Sequence, residues 1–293
     1  MRILVTGASG MLGSTLAIEL SGKHKVFGTG SSDISLPIDY RIFDLANDSY
    51  NELINWSKPE LIIHCAAITN GNYCQEYPLK AFEINGVSIQ KFLNATNKKV
   101  KIIYISTDAV FPSLTHLAKE LDFVDPENIY GKSKELGEFF LNSSLDRNYT
   151  IIRTTIVGLN INKKKTGFVE WIINTAKEGK ELGMFTDVLF SPISIWDLVS
   201  EIVFLVNTNN INSETLHIAG ELCTKYKFGR KLLETLCLPT NKLYENLISS
   251  YEDRAKRSND QSLDSSFYQK KYNRNSVSLD QTINKIKEYY EYN

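Results

Sequence analysis

A tyrosine and a lysine stand four residues apart in the run Tyr130-Gly131-Lys132-Ser133-Lys134. On a helix that spacing puts both side chains on one face, one above the other. An ammonium beneath a phenol favours the phenolate. It is expected to pull the phenol down from its ordinary pKa of about 10 towards the range where a general acid works at neutral pH. Lys132 points elsewhere on the helix, so Lys134 is the expected partner. The alternative is a half-buried Tyr beside a solvated Lys, and the choice depends on what else the chain brings to this helix.

The amino terminus brings a nucleotide site. Residues Arg2 to Thr6 read as a buried strand, which runs into Gly7-Ala8-Ser9-Gly10-Met11-Leu12-Gly13 and then a helix over Ser14 to Leu20. Glycine at every third position allows a tight turn, a close approach of pyrophosphate to backbone, and close packing of helix on strand. The helix start offers unpaired N–H groups and a positive dipole end to phosphate. This is a dinucleotide fingerprint in GxxGxxG spacing. The second strand, Lys25 to Gly28, is followed by Thr29-Gly30-Ser31-Ser32 where an acid would hold the ribose 2′-hydroxyl of NAD. Small hydroxyl residues leave room for a 2′-phosphate. Ser31 and Ser32 therefore favour NADP, with NAD the alternative, although no Arg stands beside them.

The elements that must position these residues alternate as strand and helix through the first half, the pattern of a parallel sheet covered on both faces. Further strands are expected at Arg41 to Leu45, Glu60 to Ala67, Val100 to Ser106 and Tyr149 to Val157. Helices are expected at Asp48 to Trp56, Pro78 to Asn97 and Asn128 to Leu141. The second half is less regular. It holds helices at Phe168 to Lys177, Ile195 to Asn207, Phe228 to Leu236 and Leu279 to Tyr290, a returning strand at Thr215 to Ala219, and a polar irregular stretch from Ser250 to Gln269. The expected fold is α/β: a Rossmann-like, doubly wound parallel sheet over residues 1–160, with a smaller, interwoven carboxy-terminal substrate lobe over 161–293.

Composition sets bounds. The chain has 293 residues, 42% hydrophobic and 23% charged, as an ordinary globular protein does. A net charge of −1 gives no electrostatic case for nucleic acid or an anionic membrane. No apolar run approaches the ~20 residues that span a bilayer, and a first strand beginning at Arg2 leaves no room for a signal peptide, so a cytoplasmic location is expected. Cys65, Cys74, Cys223 and Cys237 form no CxxC pair and have no His at ligand spacing, so no metal site is expected.

In a doubly wound sheet ligands bind beyond the carboxyl ends of the strands. The fifth strand ends in Ser106-Thr107-Asp108-Ala109-Val110-Phe111, which brings Thr107 to the mouth of the nucleotide cleft. Here the chain resembles the extended short-chain dehydrogenase/reductase superfamily, and within it the dTDP-4-dehydrorhamnose reductases. The likeness rests on TGASGMLG at 6–13, HCAA at 64–67, STDAVF at 106–111, YGKSKELGE at 130–138, FSPISIWDL at 190–198 and RSNDQSLD at 257–264, nearly the whole chain.

The resemblance implies roles position by position. Thr107 would hydrogen-bond the substrate carbonyl, and Tyr130 would protonate its oxygen. Lys134 would lower the Tyr130 pKa and hold the nicotinamide ribose. Gly7, Gly10, Met11, Leu12 and Gly13 match the pyrophosphate loop, Asp44 and Leu45 the adenine side, and Ala66 and Ala67 the strand end that passes the nicotinamide ribose. Asp44 has an alternative as a helix cap, and the alanines as mere close-packing residues. Asp108 and Val110, beside Thr107, are expected at the substrate. Arg254 and Arg257 are candidate diphosphate contacts, since a guanidinium fork suits phosphate, with a solvated charge pair as the alternative.

The pattern also departs from the family. Its sixth strand usually ends R-T-x-W-V-Y-G, and here it reads Arg153-Thr154-Thr155-Ile156-Val157-Gly158-Leu159. The segment after the fourth strand, Ile68 to Cys74, lacks the usual acidic wording. The expected activity is reduction of a nucleotide-linked 4-keto-6-deoxy sugar by NADPH, the sugar not necessarily rhamnose. Two alternatives stand: a nucleotide-sugar epimerase of the same superfamily, and a non-catalytic NADP-binding regulatory protein. The expected partner is the nucleotide sugar, and a homodimer is left open.

Overall fold

A computed structural model describes residues 1–250, 256 and 258–292. Its frame is a wholly parallel sheet. The strands are β1 (Arg2–Thr6), β2 (Lys25–Gly30), β3 (Asp39–Ile42), β4 (Leu61–His64), β5 (Lys101–Thr107) and β6 (Tyr149–Val157). With the strand Glu214–His217 they lie in the order Glu214–His217, β6, β5, β4, β1, β2, β3, and Pro192–Ser194 pairs in parallel with the end of β6. The order reverses between β1 and β4, so the crevice at their carboxyl ends is the place for a ligand.

Both faces of the sheet are covered. On one, Ile3, Val5, Ile63 and Ile103 pack with Leu16 and Leu20 of helix α1 (Met11–Ser21) and with Leu198, Ile202 and Leu205 of helix Ile195–Asn207. On the other, Leu4, Ile62, Ile102 and Tyr104 pack with Leu53, Ile89 and Phe92. Pro192–Ser194, Ile195–Asn207 and Glu214–His217 thus come from the second half of the chain and complete the first half's sheet, the expected interweaving. A separate core of Val169, Ile172, Phe190, Phe228, Leu232 and Ile283 holds the remaining lobe.

That lobe is built from short strands the sequence does not announce. Leu182–Phe185 pairs in parallel with Leu243–Asn246, and Leu189–Phe190 lies between Cys223–Thr224 and Asp260–Gln261. The stretch expected to be irregular thus contributes the strand Asp260–Gln261 and also the helix Ser266–Tyr272. The single helix expected over Pro78 to Asn97 is broken instead. It begins as α-helix at Pro78–Phe82, widens to a π turn at Glu83–Val87 and resumes over Ser88–Ala95, with another helix, Gly71–Glu76, ahead of it. A π turn needs a local reason. Here the buried Asn85 side chain accepts from the Ile68 amide at 2.7 Å and donates to the Ile68 carbonyl at 3.0 Å and the Ser133 hydroxyl at 2.9 Å.

Candidate active site

Tyr130 and Lys134 lie on the helix Ile129–Asn142. Asn128 caps it, its side-chain oxygen accepting from the Gly131 amide at 2.8 Å, as this residue type commonly does. The cap places Tyr130 in the first turn, where the positive dipole end favours a phenolate. The first turn lies against the 3-10 turn Asp108–Val110 that follows β5. Contact is so close that a Cβ on Gly131 would stand 2.2 Å from the Ala109 carbonyl oxygen. The same approach brings Tyr130 beside Thr107, whose side chain opposes the rise of the Tyr130 pKa.

Thr107 and Asp108 form a buried pair. The Thr107 hydroxyl donates to Asp108 Oδ1 at 2.8 Å and accepts from the Ala109 amide at 3.2 Å. The other carboxylate oxygen of Asp108 accepts from the Thr155 hydroxyl. Burial raises the Asp108 pKa against the lowering by these hydroxyls and by Lys225. Asp108 and Ala109 face a cavity of about 590 Å³ that Tyr130 also lines. Val110 does not. It is fully buried with Phe111, Ala118, Ala219 and Leu263, because the 3-10 turn directs its side chain inward and presents Ala109 in its place.

Lys134 is buried, its Nζ 3.9 Å from the centre of the Tyr104 ring. The expected lowering of the phenol by this ammonium is not what the structure shows. Burial dominates both groups and favours the neutral form of each. It raises the Tyr130 phenol above its ordinary value, with Asp108 and Cys74 adding to the rise and the Thr107 side chain opposing it. It draws Lys134 down to about 7, against the upward pull of Glu138 and Cys65. Burial likewise lowers His64 to about 3, with Lys134 a further cause.

The dinucleotide residues gather at a second cavity, of about 450 Å³, lined by Gly7, Gly10, Ser31, Asp44, Leu45, Ala66 and Ala67 among others. Gly7 has φ +69°, and a Cβ there would lie 2.7 Å from the Ala66 backbone. Only glycine fits that turn. Met11, Leu12 and Gly13 open α1, and a Cβ on Gly13 would sit 2.3 Å from the Gly7 carbonyl oxygen. Asp44 lies past the end of β3 and holds a turn of its own, Oδ1 accepting from the Ala46 amide at 2.9 Å and Oδ2 from the Asn47 side chain at 2.8 Å. These bonds keep its carboxyl below the usual range, and it still lines the cavity. The glycine turn, the open helix start and this lining fit a dinucleotide.

Three features of the site escape a reading of motifs. Asn85 ties the Ile68 backbone to the Tyr130 helix through Ser133, whose hydroxyl donates to the Tyr130 carbonyl at 2.7 Å. Glu138, one turn beyond Lys134, forms a buried ion pair with Arg153 at 2.7 Å and accepts from the Ser106 hydroxyl at 2.5 Å. The far wall of the larger cavity carries Phe168, Trp171, Phe185, Tyr244 and Lys225, from elements scattered through the second half. A polar Asn inside an apolar helical pattern was the one available signal for the first. Arg254 and Arg257 lie outside the described residues.

No described helix is long and apolar enough to cross a membrane. A family model described as "RmlD substrate binding domain" matches residues 1–291. The spore coat polysaccharide biosynthesis protein SpsK of Bacillus subtilis is 30% identical over 82% of this chain and 81% of its own length. Among solved structures, a hypothetical dTDP-4-dehydrorhamnose reductase from Sulfolobus tokodaii is 34% identical, with a TM-score of 0.82, over 96% of this chain and 99% of its own. A dTDP-4-dehydrorhamnose reductase from Bacillus anthracis, solved in complex with NADP, is 25% identical with a TM-score of 0.85, over 97% and 98%. With a family match over nearly its whole length, a Rossmann-like sheet and the glycine turn in place, the chain belongs to the RmlD substrate-binding-domain family of the extended short-chain dehydrogenase/reductase superfamily, and is similar to these dTDP-4-dehydrorhamnose reductases.

Proposed function

We propose that the chain is a reductase of a nucleotide-linked 4-keto-6-deoxy sugar that uses NADPH. The observation that carries this reading is the position of one group of side chains. Tyr130, beside Thr107, stands on the wall of the larger cavity, while the strand end Ala66–Ala67 and the loop at Ile68 border the dinucleotide cavity. A nicotinamide dinucleotide with the pyrophosphate on the glycine turn would supply the hydride.

The side chains supply the rest. The Tyr130 hydroxyl gives its proton to the carbonyl oxygen as negative charge develops there, and the Thr107 hydroxyl turns its proton from Asp108 Oδ1 to that oxygen as a second donor. A donor held close to the developing charge needs little reorganisation when the charge appears. The helix dipole stabilises the phenolate left behind, and Lys134, one turn along the same helix, adds to this in its protonated form, which a value of about 7 leaves partly populated at neutral pH. The aromatic wall of Phe168, Trp171 and Tyr244 suits a stacked base, and Lys225 suits a diphosphate. Ile156 in place of the family's Trp leaves the sugar identity to experiment.

The test is loss of reduced nicotinamide absorbance with a panel of dTDP-, UDP- and GDP-linked 4-keto sugars. Turnover with at least one member is expected. Dinucleotide binding without turnover on any of them would overturn the reductase reading and favour the regulatory one. Cofactor retained through purification, with epimerisation of the sugar, would favour the epimerase.

A further inference from the structure

The hydroxyl residues after β2 leave room for a 2′-phosphate but bring no cation. The structure supplies one from far along the chain. The loop between β6 and the helix Phe168–Lys177 reaches back over the dinucleotide cavity, and Lys165 at its tip lines that cavity. Lys165 Nζ lies 3.5 Å from Ser9 Oγ, 156 residues away in sequence.

Ser9 marks a particular corner of the site. A Cβ on Gly30 would sit 2.4 Å from Ser9 Oγ, so this hydroxyl touches the carboxyl end of β2. In this fold the 2′ position of the adenosine ribose lies at that strand end. Two further hydroxyls belong to the corner. Ser31 lines the cavity. The Ser32 hydroxyl is buried and has no hydrogen-bond partner among the described residues, while its carbonyl accepts from the Tyr40 hydroxyl at 2.5 Å. The nearest carboxylate in sequence, Asp33, follows this run and acts on Tyr40, so the corner needs a cation to hold an anion.

The loop is braced to hold the tip there. The Glu170 carboxylate accepts from the Asn160 amide at 2.5 Å and the Asn160 side chain at 2.8 Å on one side, and from the Gly167 amide at 2.5 Å on the other. Both ends of the loop are therefore fixed to one side chain. The Lys165 amide also donates to the Asn162 carbonyl at 2.9 Å, which folds the tip into a turn.

We infer that Lys165 selects NADPH over NADH by pairing with the 2′-phosphate, with the Ser9, Ser31 and Ser32 hydroxyls as further donors to the same group. The inference rests on the dinucleotide site proposed above and names the residue that sets its specificity. An ammonium acts here as a point charge on a flexible stem, which suits a dianionic monoester approached from outside the sheet.

The test is direct binding of NADPH, NADH, 2′,5′-ADP and 5′-AMP to the full chain by titration calorimetry, without a sugar substrate. Lys165→Ala is expected to weaken NADPH and 2′,5′-ADP by roughly 10- to 100-fold, as loss of one charged hydrogen bond does. It should leave NADH and 5′-AMP within about twofold. Lys165→Arg should retain most of the preference. Equal weakening of both dinucleotides, or no weakening of either, would overturn the inference while leaving the dinucleotide site standing. A wild-type chain that binds neither dinucleotide would overturn the site itself, and this inference with it.

Discussion

Gly131 meets the carbonyl of Ala109 with no room for a side chain: a methyl would lie 2.2 Å from that oxygen and 2.7 Å from Pro126 Cβ. The contact is what lets the Tyr130 helix lie against the turn carrying Thr107 and Asp108. Gly131→Ala should therefore do two things. Overpacking of this kind costs about 1–3 kcal/mol, readable as a lower urea midpoint. Displacing Tyr130 by even ~1 Å should reduce kcat by roughly 100-fold, with dinucleotide affinity nearly unchanged. A variant with wild-type kcat would mean that the close approach does not position the acid.

Tyr130→Phe keeps the ring and removes the proton donor. Loss of one preorganised donor costs about 2.7–4 kcal/mol, or roughly 100- to 1,000-fold in kcat. Dinucleotide binding should persist, because the glycine turn is untouched. Ketone reduction at a near wild-type rate would show that Tyr130 is not the acid.

The buried pair of Glu138 and Arg153 holds the floor beneath Lys134. Glu138→Gln leaves a buried guanidinium without its counter-charge, which costs about 3–5 kcal/mol. Removing both charges together, as Glu138→Gln with Arg153→Met, should recover much of that stability. Urea unfolding of the two variants checks the difference. Equal loss in both would mean that packing, not the unpaired charge, sets the cost.

Much of this arrangement was written locally. The bounds of β6 and of the helices Phe168–Lys177 and Ile195–Asn207 follow from apolar periodicity. The glycine turn and the Tyr130 helix follow from spacing and an Asn cap. What could not be read depends on contacts between distant segments. The helix expected at Pro78 to Asn97 breaks into a π turn because Asn85 bonds to Ile68 and Ser133, and Gly86 abuts Leu136. No propensity within that stretch encodes those partners. The strand Leu182–Phe185 exists through its pairing with Leu243–Asn246, too short and too far apart to signal alone. Lys165 falls in a run of three lysines that reads as a solvated loop, and only the fold brings it to Ser9. The electrostatic expectation for Tyr130 failed for a related reason. Spacing supplied the cation but not the burial that neutralises it.

Lys134 offers the clearest dependence on pH. Its ordinary pKa is about 10.4, and burial in the folded protein holds it near 7. Between these values the unfolded chain binds a proton that the folded protein does not, so stability rises with pH across that window. Below the lower value the penalty of a buried ammonium is fully present. Above the upper value both states are neutral and the penalty is gone. Lys134→Met keeps the stem and removes the titration. The variant should therefore be more stable than wild type at neutral pH and below, with the gap closing towards about pH 10, while reductase activity is lost. Urea midpoints of the two proteins across that range give the difference curve. A flat difference would mean that Lys134 keeps its charge throughout, and that the Tyr104 ring and Glu138 compensate its burial in full.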